Sequence, residues 1–147
     1  MKIILLFTGK TEESYLKEGI DIYSKRVERY IPHEIKIINE RKKKFTAGNS
    51  LPVSGHSSYV VCLDEKGDKL SSVDFAKFLE KIMNQGYKEL VFVTGGAYGF
   101  TERETLRADR LLSLSKMTFS HQMVRLILVE QIYRALTIIR GEPYHHR

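Results

Sequence analysis

Three short stretches of this 147-residue chain, Ile3–Phe7, Tyr59–Leu63 and Leu90–Val93, are apolar at every position. Runs of this length are strand-sized, and their lack of alternation means that both faces must be covered. That condition is met in a parallel sheet flanked by helices. Each run stops at turn chemistry: Thr8-Gly9-Lys10, then Glu65-Lys66-Gly67-Asp68 beyond "YVVCLD", then Gly95-Gly96. Ile35, Ile37 and Ile38 mark a second strand, and "LLSLSKMTF" predicts a fifth, with Leu112 and Leu114 alternating with Ser113 and Ser115.

Between the strands the period changes. Thr11-Glu12-Glu13 is read as a helix start with acids in its first turn, followed by Tyr15, Leu16, Ile20, Tyr23 and Val27 at helical spacing up to Tyr30, and Pro32 as a stop. Ser71 or Ser72 caps a second helix through Met83, ended by Gly86. Thr101 caps a short helix. The last helix runs from about His121 to Arg140, with Gly141 as its cap and Pro143 barring continuation. Strands alternating with helices give an α/β class with a mostly parallel sheet and flanking helices. No internal repeat or linker divides it, so residues 1–147 form one domain.

Charge and composition narrow the partners. The net charge of +6 favours a polyanion, nucleic acid before a membrane surface. "RKKK" opens the Gly/Ser-rich stretch Arg41 to Ser58, read as a loop whose basic run either grips phosphates or is simply solvated. The single cysteine, Cys62, makes no internal disulfide and reads as a buried core residue in a reducing compartment. "MKIILLFTGK" is a strand rather than a signal peptide. Met123 to Ile139 approaches membrane-span length, but Arg125, Glu130, Gln131 and Arg134 lie inside it. A cytoplasmic location with no membrane partner is expected.

The last helix is apolar around nearly its whole circumference, whereas a surface helix shows one stripe. Either it is central in the packing, or a second copy buries its outer face; the expectation is a homodimer through this helix. Glu130 and Arg134 are four apart and can pair.

Ligands of open α/β sheets bind beyond the carboxyl ends of the strands. Three loops lie there: Leu63 to Asp68, Gly95 to Phe100, and the end of "SLSKMTF". Gly95-Gly96 lets a ligand approach the backbone, with Gly99 permitting a further turn, although G-G-x-x-G is neither a dinucleotide fingerprint nor a P-loop. Ser115, Lys116 and Thr118 offer polar contacts. Met117 and Phe119 offer apolar ones, though pattern alone favours core packing for them. His121 reads as a capping or surface histidine. Arg125 and Arg134 either bind phosphate or solvate their helix. The tail "GEPYHHR" puts Tyr144, His145, His146 and Arg147 in a row: a frayed end, a tag remnant or half of an active site. Its histidines lack metal-site spacing.

"VFVTGGAYGF", "LSLSKMTFSHQMVRLILVEQIYRA" and "RGEPYHHR" resemble the ribosomal RNA large subunit methyltransferase H family, of the SPOUT class. The likeness covers nearly the whole chain, and its C-terminal third is the specific part. It implies an α/β fold with a C-terminal trefoil knot, which general topology would not suggest. It further implies transfer of a methyl group from S-adenosylmethionine to N3 of a pseudouridine in 23S rRNA, on the assembled ribosome. By position, Leu63, Gly95, Leu114, Ser115, Lys116, Met117, Thr118 and Phe119 would bind the cofactor, which takes Met117 and Phe119 out of the core. Tyr144, His145, His146 and Arg134 would serve catalysis, with either histidine as base or relay and Tyr144 and Arg134 orienting the base. The family usually has a helix between the second and third strands, where this chain has only Arg41 to Ser58. The rival reading is a non-catalytic RNA-binding α/β protein; a nucleotide-dependent or hydrolytic enzyme lacks its signature motifs here.

Overall fold

A computed structural model describes residues 1–38, 57–96, 100 and 108–146. The basic loop expected over 41–58 (bar its last two residues), the turn at Gly99, the short helix from Thr101 and the terminal Arg147 lie outside the described residues.

The apolar runs become β1 (Lys2–Thr8), β3 (Ser58–Lys69) and β4 (Glu89–Thr94), with β2 (His33–Ile38) and β5 (Arg110–Ser113) at the edges. All five are parallel, in the order β2-β1-β4-β3-β5. Side chains alternate across the sheet: Ile3, Leu5, Phe7, Leu90 and Phe92 face one way, and Ile4, Leu6, Val91 and Val93 the other, all buried. This two-sided burial is why the runs are continuous rather than alternating.

Three helices, α1 (Ser14–Glu28), α2 (Ser72–Met83) and α3 (His121–Ile139), cover the first face. The steps β1-α1-β2 and β3-α2-β4 move along the sheet in the same direction, so the right-handed crossover rule puts α1 and α2 on the same side. The step from β4 past β3 to β5 moves the other way along the sheet. Phe100 and Ala108, from that connection, pack against the opposite face.

Several boundaries differ from the sequence reading. The fifth strand stops at Ser113 rather than continuing through Phe119, because the hydroxyls intervene. Ser113 Oγ donates to the carbonyl of Ser115 at 2.9 Å, and Ser115 Oγ accepts from the Met117 amide at 2.9 Å, closing a local turn in place of a ladder. The third strand does not end at Asp64. It pairs with β5 over Val61–Leu63, shifts register, and pairs again at Asp68 and Lys69. Helix α1 starts at Ser14, after Glu13, with no acid in its first turn. Ser71 caps α2 through its bond from the Asp74 amide, and Ser120 caps α3 through that of Met123.

The apolar circumference of α3 is explained first by its place between α1 and α2. Gly19 of α1 admits Leu126 so closely that a Cβ would sit 2.9 Å from it, and Tyr23 meets the Tyr133 ring at 6.1 Å. On the other side Ser72 Oγ donates to Gln131 Oε1 at 2.8 Å. At its end, Gly141 adopts a φ of 71°, its amide bonds Ile138 O, and the Glu142 amide bonds Thr137 O. This pairing satisfies the last carbonyls and reverses the chain. The tail then lies back on the helix, where the Tyr30 hydroxyl donates to Glu142 Oε2 at 2.6 Å.

Two outcomes follow. A Cβ on Gly67 would lie 2.5 Å from backbone atoms of Leu111 and Leu112, which no rotamer change relieves. Gly67→Ala should therefore lower stability by about 1–3 kcal/mol in urea unfolding; an unchanged midpoint would contradict the β3–β5 approach. The hydrogen bond to Glu142 pushes the Tyr30 phenol up to about 12. The contact holds the neutral phenol, so its contribution is complete below about pH 10, the free-phenol value, and is lost as pH rises towards 12. In isotope-labelled tyrosine NMR, Glu142→Gln should bring that titration back towards about 10; no movement would place the tail elsewhere.

Candidate functional site

The carboxyl ends of β3, β4 and β5 open into a cleft of two adjoining chambers. The smaller one, about 90 Å³, is walled by Leu63, Leu112, Leu114, Met117 and Phe119, with Ser115 and Thr118. The larger one, about 410 Å³, adds Thr94, Gly95, Gly96, Phe100 and His121. Leu63, Asp64, Glu65, Thr118, Phe119 and Val124 line both. The register shift in β3 is what presents Asp64 and Glu65 here, because the strand leaves the ladder between Leu63 and Asp68.

Seven of the positions expected to bind a cofactor meet in this cleft: Leu63, Gly95, Leu114, Ser115, Met117, Thr118 and Phe119. Lys116 is exposed and lines neither chamber. Met117 is 77% exposed, so it is no core residue. Sequence reasoning missed the first turn of α3, which supplies His121 and Val124, and it missed Thr94. The strand-end rule stopped at the loops, and nothing in the pattern says which helix closes over them.

The walls suit a flat apolar ring, the glycine backbone admits close approach, and Asp64 and Glu65 suit hydroxyls or a positive centre. One further feature points to a ligand. Thr94 is 1% exposed, yet its Oγ1 has no hydrogen-bond partner among the described residues. Buried hydroxyls are normally satisfied, and an orphan at a cavity wall is a place for a ligand or water atom.

Behind the cleft lies Arg125, which neither solvates the helix nor waits for phosphate. It is fully buried, with Nη2 donating to Thr8 O at 2.5 Å and Nη1 to Thr11 Oγ1 at 2.9 Å, and its guanidinium lies 5.0 Å from the Phe7 ring centre. Burial lowers its pKa, opposed by nearby Glu12. Gln122 accepts from the Glu12 amide at 3.0 Å and donates to Lys10 O at 3.1 Å. The two side chains hold the loop after β1 against α3.

The tail forms a second cluster around Glu130. Arg134 pairs with it through Nη2 at 2.5 Å and Nε at 3.1 Å, and the Tyr144 hydroxyl donates to it at 2.9 Å. The i, i+4 pair read from the sequence is thus present and half-buried, and it also seats the tail. Tyr144 packs on Tyr133 at 4.6 Å and beneath the Arg134 guanidinium at 4.8 Å. Burial raises the Tyr144 phenol, as do hydrogen bonds with Tyr23 and Glu130, so it remains a neutral donor. The bond to Glu130 raises Arg134, which stays cationic. Arg134 Nη1 lies 3.1 Å from His145 Nδ1. A guanidinium only donates, so Nδ1 accepts and the ring proton belongs on Nε2. His146 is exposed.

The cleft and the tail are not brought together within one chain. Arg134, Tyr144, His145 and His146 line neither chamber. Val124 at the cleft and Arg134 at the tail are on one helix, about 15 Å apart at about 1.5 Å per residue.

A solved structure, a probable methylase family protein from Haemophilus influenzae, superposes with a TM-score of 0.53 over 99% of this chain and 70% of its own, at 13% identity, a likeness of fold alone. The protein named ribosomal RNA large subunit methyltransferase H from Christiangramia forsetii is 48% identical over 157 aligned positions, covering 100% of both chains. That from Geobacter metallireducens is 46% identical, covering 99% of each. The alignments are longer than the 147 residues here, so these relatives carry positions that this chain lacks. A family model described as predicted SPOUT methyltransferase matches residues 1–145. The parallel sheet, the cleft beyond its strand ends and the full-length match together establish that this chain belongs to the SPOUT methyltransferase family.

Proposed function

We propose that the protein transfers a methyl group from S-adenosylmethionine to N3 of a pseudouridine in 23S rRNA, on the assembled ribosome and as a homodimer. The convergence of the expected cofactor positions on one cleft carries this reading. Relatives that share nearly half their residues and are named as ribosomal RNA methyltransferases support the substrate class. In the same reading the chain carries the trefoil knot implied by the resemblance.

When bound, the cofactor supplies an electrophilic methyl on a positively charged sulfur. Leu63, Leu114, Met117 and Phe119 hold its ring by apolar contact, and the Gly95-Gly96 backbone allows close approach. Asp64 and Glu65 offer acceptors to sugar hydroxyls and a favourable field to the sulfonium. On the substrate side, N3 of the base must lose a proton, and its oxygens gain negative charge. Arg134 and the neutral Tyr144 hydroxyl suit those oxygens. His145, with its proton on Nε2, serves as a further donor, which leaves His146 to accept the N3 proton.

The separation of tail and cleft is the reason for a dimer: the tail of one copy completes the cleft of the other. Tyr15 and Ile22 on α1, 59% and 44% exposed, are surplus apolar surface. Among the described residues no helix is long and apolar enough to cross a membrane. The ribosomal substrate puts the enzyme in the cytoplasm.

Calorimetric titration should show saturable binding of S-adenosylmethionine, and labelled cofactor should deliver its methyl to a single pseudouridine of the ribosome. Binding of ribosomal RNA without cofactor uptake would instead make this a non-catalytic RNA-binding protein. A chain truncated after Glu142 should still bind the cofactor but methylate about a hundredfold or more slowly, the scale of lost acid–base assistance. A truncated chain that stays dimeric and methylates at the full rate would remove the tail from the mechanism.

A further inference from the structure

Thr94 stands at the end of β4, next to the glycine pair, on the face that carries Leu90 and Phe92. Its two polar groups are treated differently. The carbonyl is fixed, accepting from Thr8 Oγ1 at 3.1 Å, and Thr8 O is held in turn by Arg125 Nη2. Among the described residues the hydroxyl is left without a partner, in a residue that is 1% exposed and lines the larger chamber. A buried hydroxyl without a partner destabilises the protein, so nothing in the packing of the free chain accounts for it. An isosteric valine would fill the same space without that cost. Phe7, the register partner of Thr94 on β1, is the residue over which the Arg125 guanidinium lies, so the buried charge packs on the neighbouring strand.

We infer that Thr94 Oγ1 is a direct hydrogen-bonding contact for the methyl donor in the larger chamber, and that Thr8 and Arg125 are positioning residues that set it. This rests on the reading of the cleft as the S-adenosylmethionine site. Thr8 locks the Thr94 carbonyl, which fixes the peptide leading into Gly95. Arg125 locks Thr8 and the loop after β1. The orphan hydroxyl is the working end of this chain of contacts.

The test is calorimetric titration with S-adenosylmethionine and with its demethylated product, S-adenosylhomocysteine, alongside thermal unfolding of the ligand-free protein. Thr94→Val should weaken both ligands by about three- to tenfold, the range for one hydrogen bond of about 0.5–1.5 kcal/mol. It should leave the ligand-free melting temperature unchanged or raised, because an unsatisfied buried group is gone. Thr94→Ser should restore most of the affinity. Thr8→Val, which frees the Thr94 carbonyl, should weaken binding while the β1–β4 ladder keeps the chain folded. Equal affinity for wild type and Thr94→Val would make the hydroxyl structural only and overturn the inference while the cofactor reading stands. Failure of the wild type to bind either ligand would overturn both.

Discussion

Helix α3 lies in the channel between α1 and α2, and both the cleft and the seat of the tail depend on that packing. Its first turn supplies His121 and Val124 to the cleft, while its last turns carry Glu130, Arg134 and the glycine cap that folds the tail back. A helix seated this way is buried along Leu128, Val129, Ile132, Ala135 and Leu136, and the distance between cleft and tail is fixed by its length. The separation within one chain is therefore a rigid property of the fold, and it is the ground on which a second copy is proposed.

Polar groups inside this packing are few and specific. Among the described residues Arg125 is a buried cation whose direct contacts are neutral, two threonines and an aromatic ring, with Glu12 acting only at longer range, an arrangement that stability alone does not favour. Its contacts tie α3 to the loop after β1 and, through Thr8, to the strand that leads into the glycine pair. Glu130 does the same for the tail, gathering Arg134 and Tyr144 on one carboxylate. The β1 end and the tail thus each have one charged side chain of α3 as organiser, five residues apart on the helix.

Much of this was legible in the sequence, for physical reasons. Unbroken apolar runs admit few structures other than two-sided strands, so β1, β3 and β4 and the class of fold could be read directly. The strand-end rule located the cleft before any geometry, and the resemblance chose Met117 and Phe119 for it over the core. Side-chain hydrogen bonding was less readable. Ser113 and Ser115 alternate with leucines as a strand would, yet their hydroxyls bond locally and end β5. Arg125 looked like a surface charge because periodicity cannot weigh a buried guanidinium held by carbonyl and hydroxyl oxygens. The apolar girth of α3 was assigned to a partner chain, whereas flanking by α1 and α2 accounts for much of it. Thr94 gave no signal at all, since an orphan hydroxyl exists only once its neighbours are known.

The account's central claim is that one chain's cleft works with another chain's tail. The direct measurement mixes two inactive variants, one with Gly95 replaced by a bulky residue that blocks the cleft and one truncated after Glu142, and allows subunits to exchange. The account predicts that methylation reappears in the mixture, because a mixed dimer holds one intact cleft facing one intact tail. A mixture that exchanges subunits fully and remains inactive would contradict it.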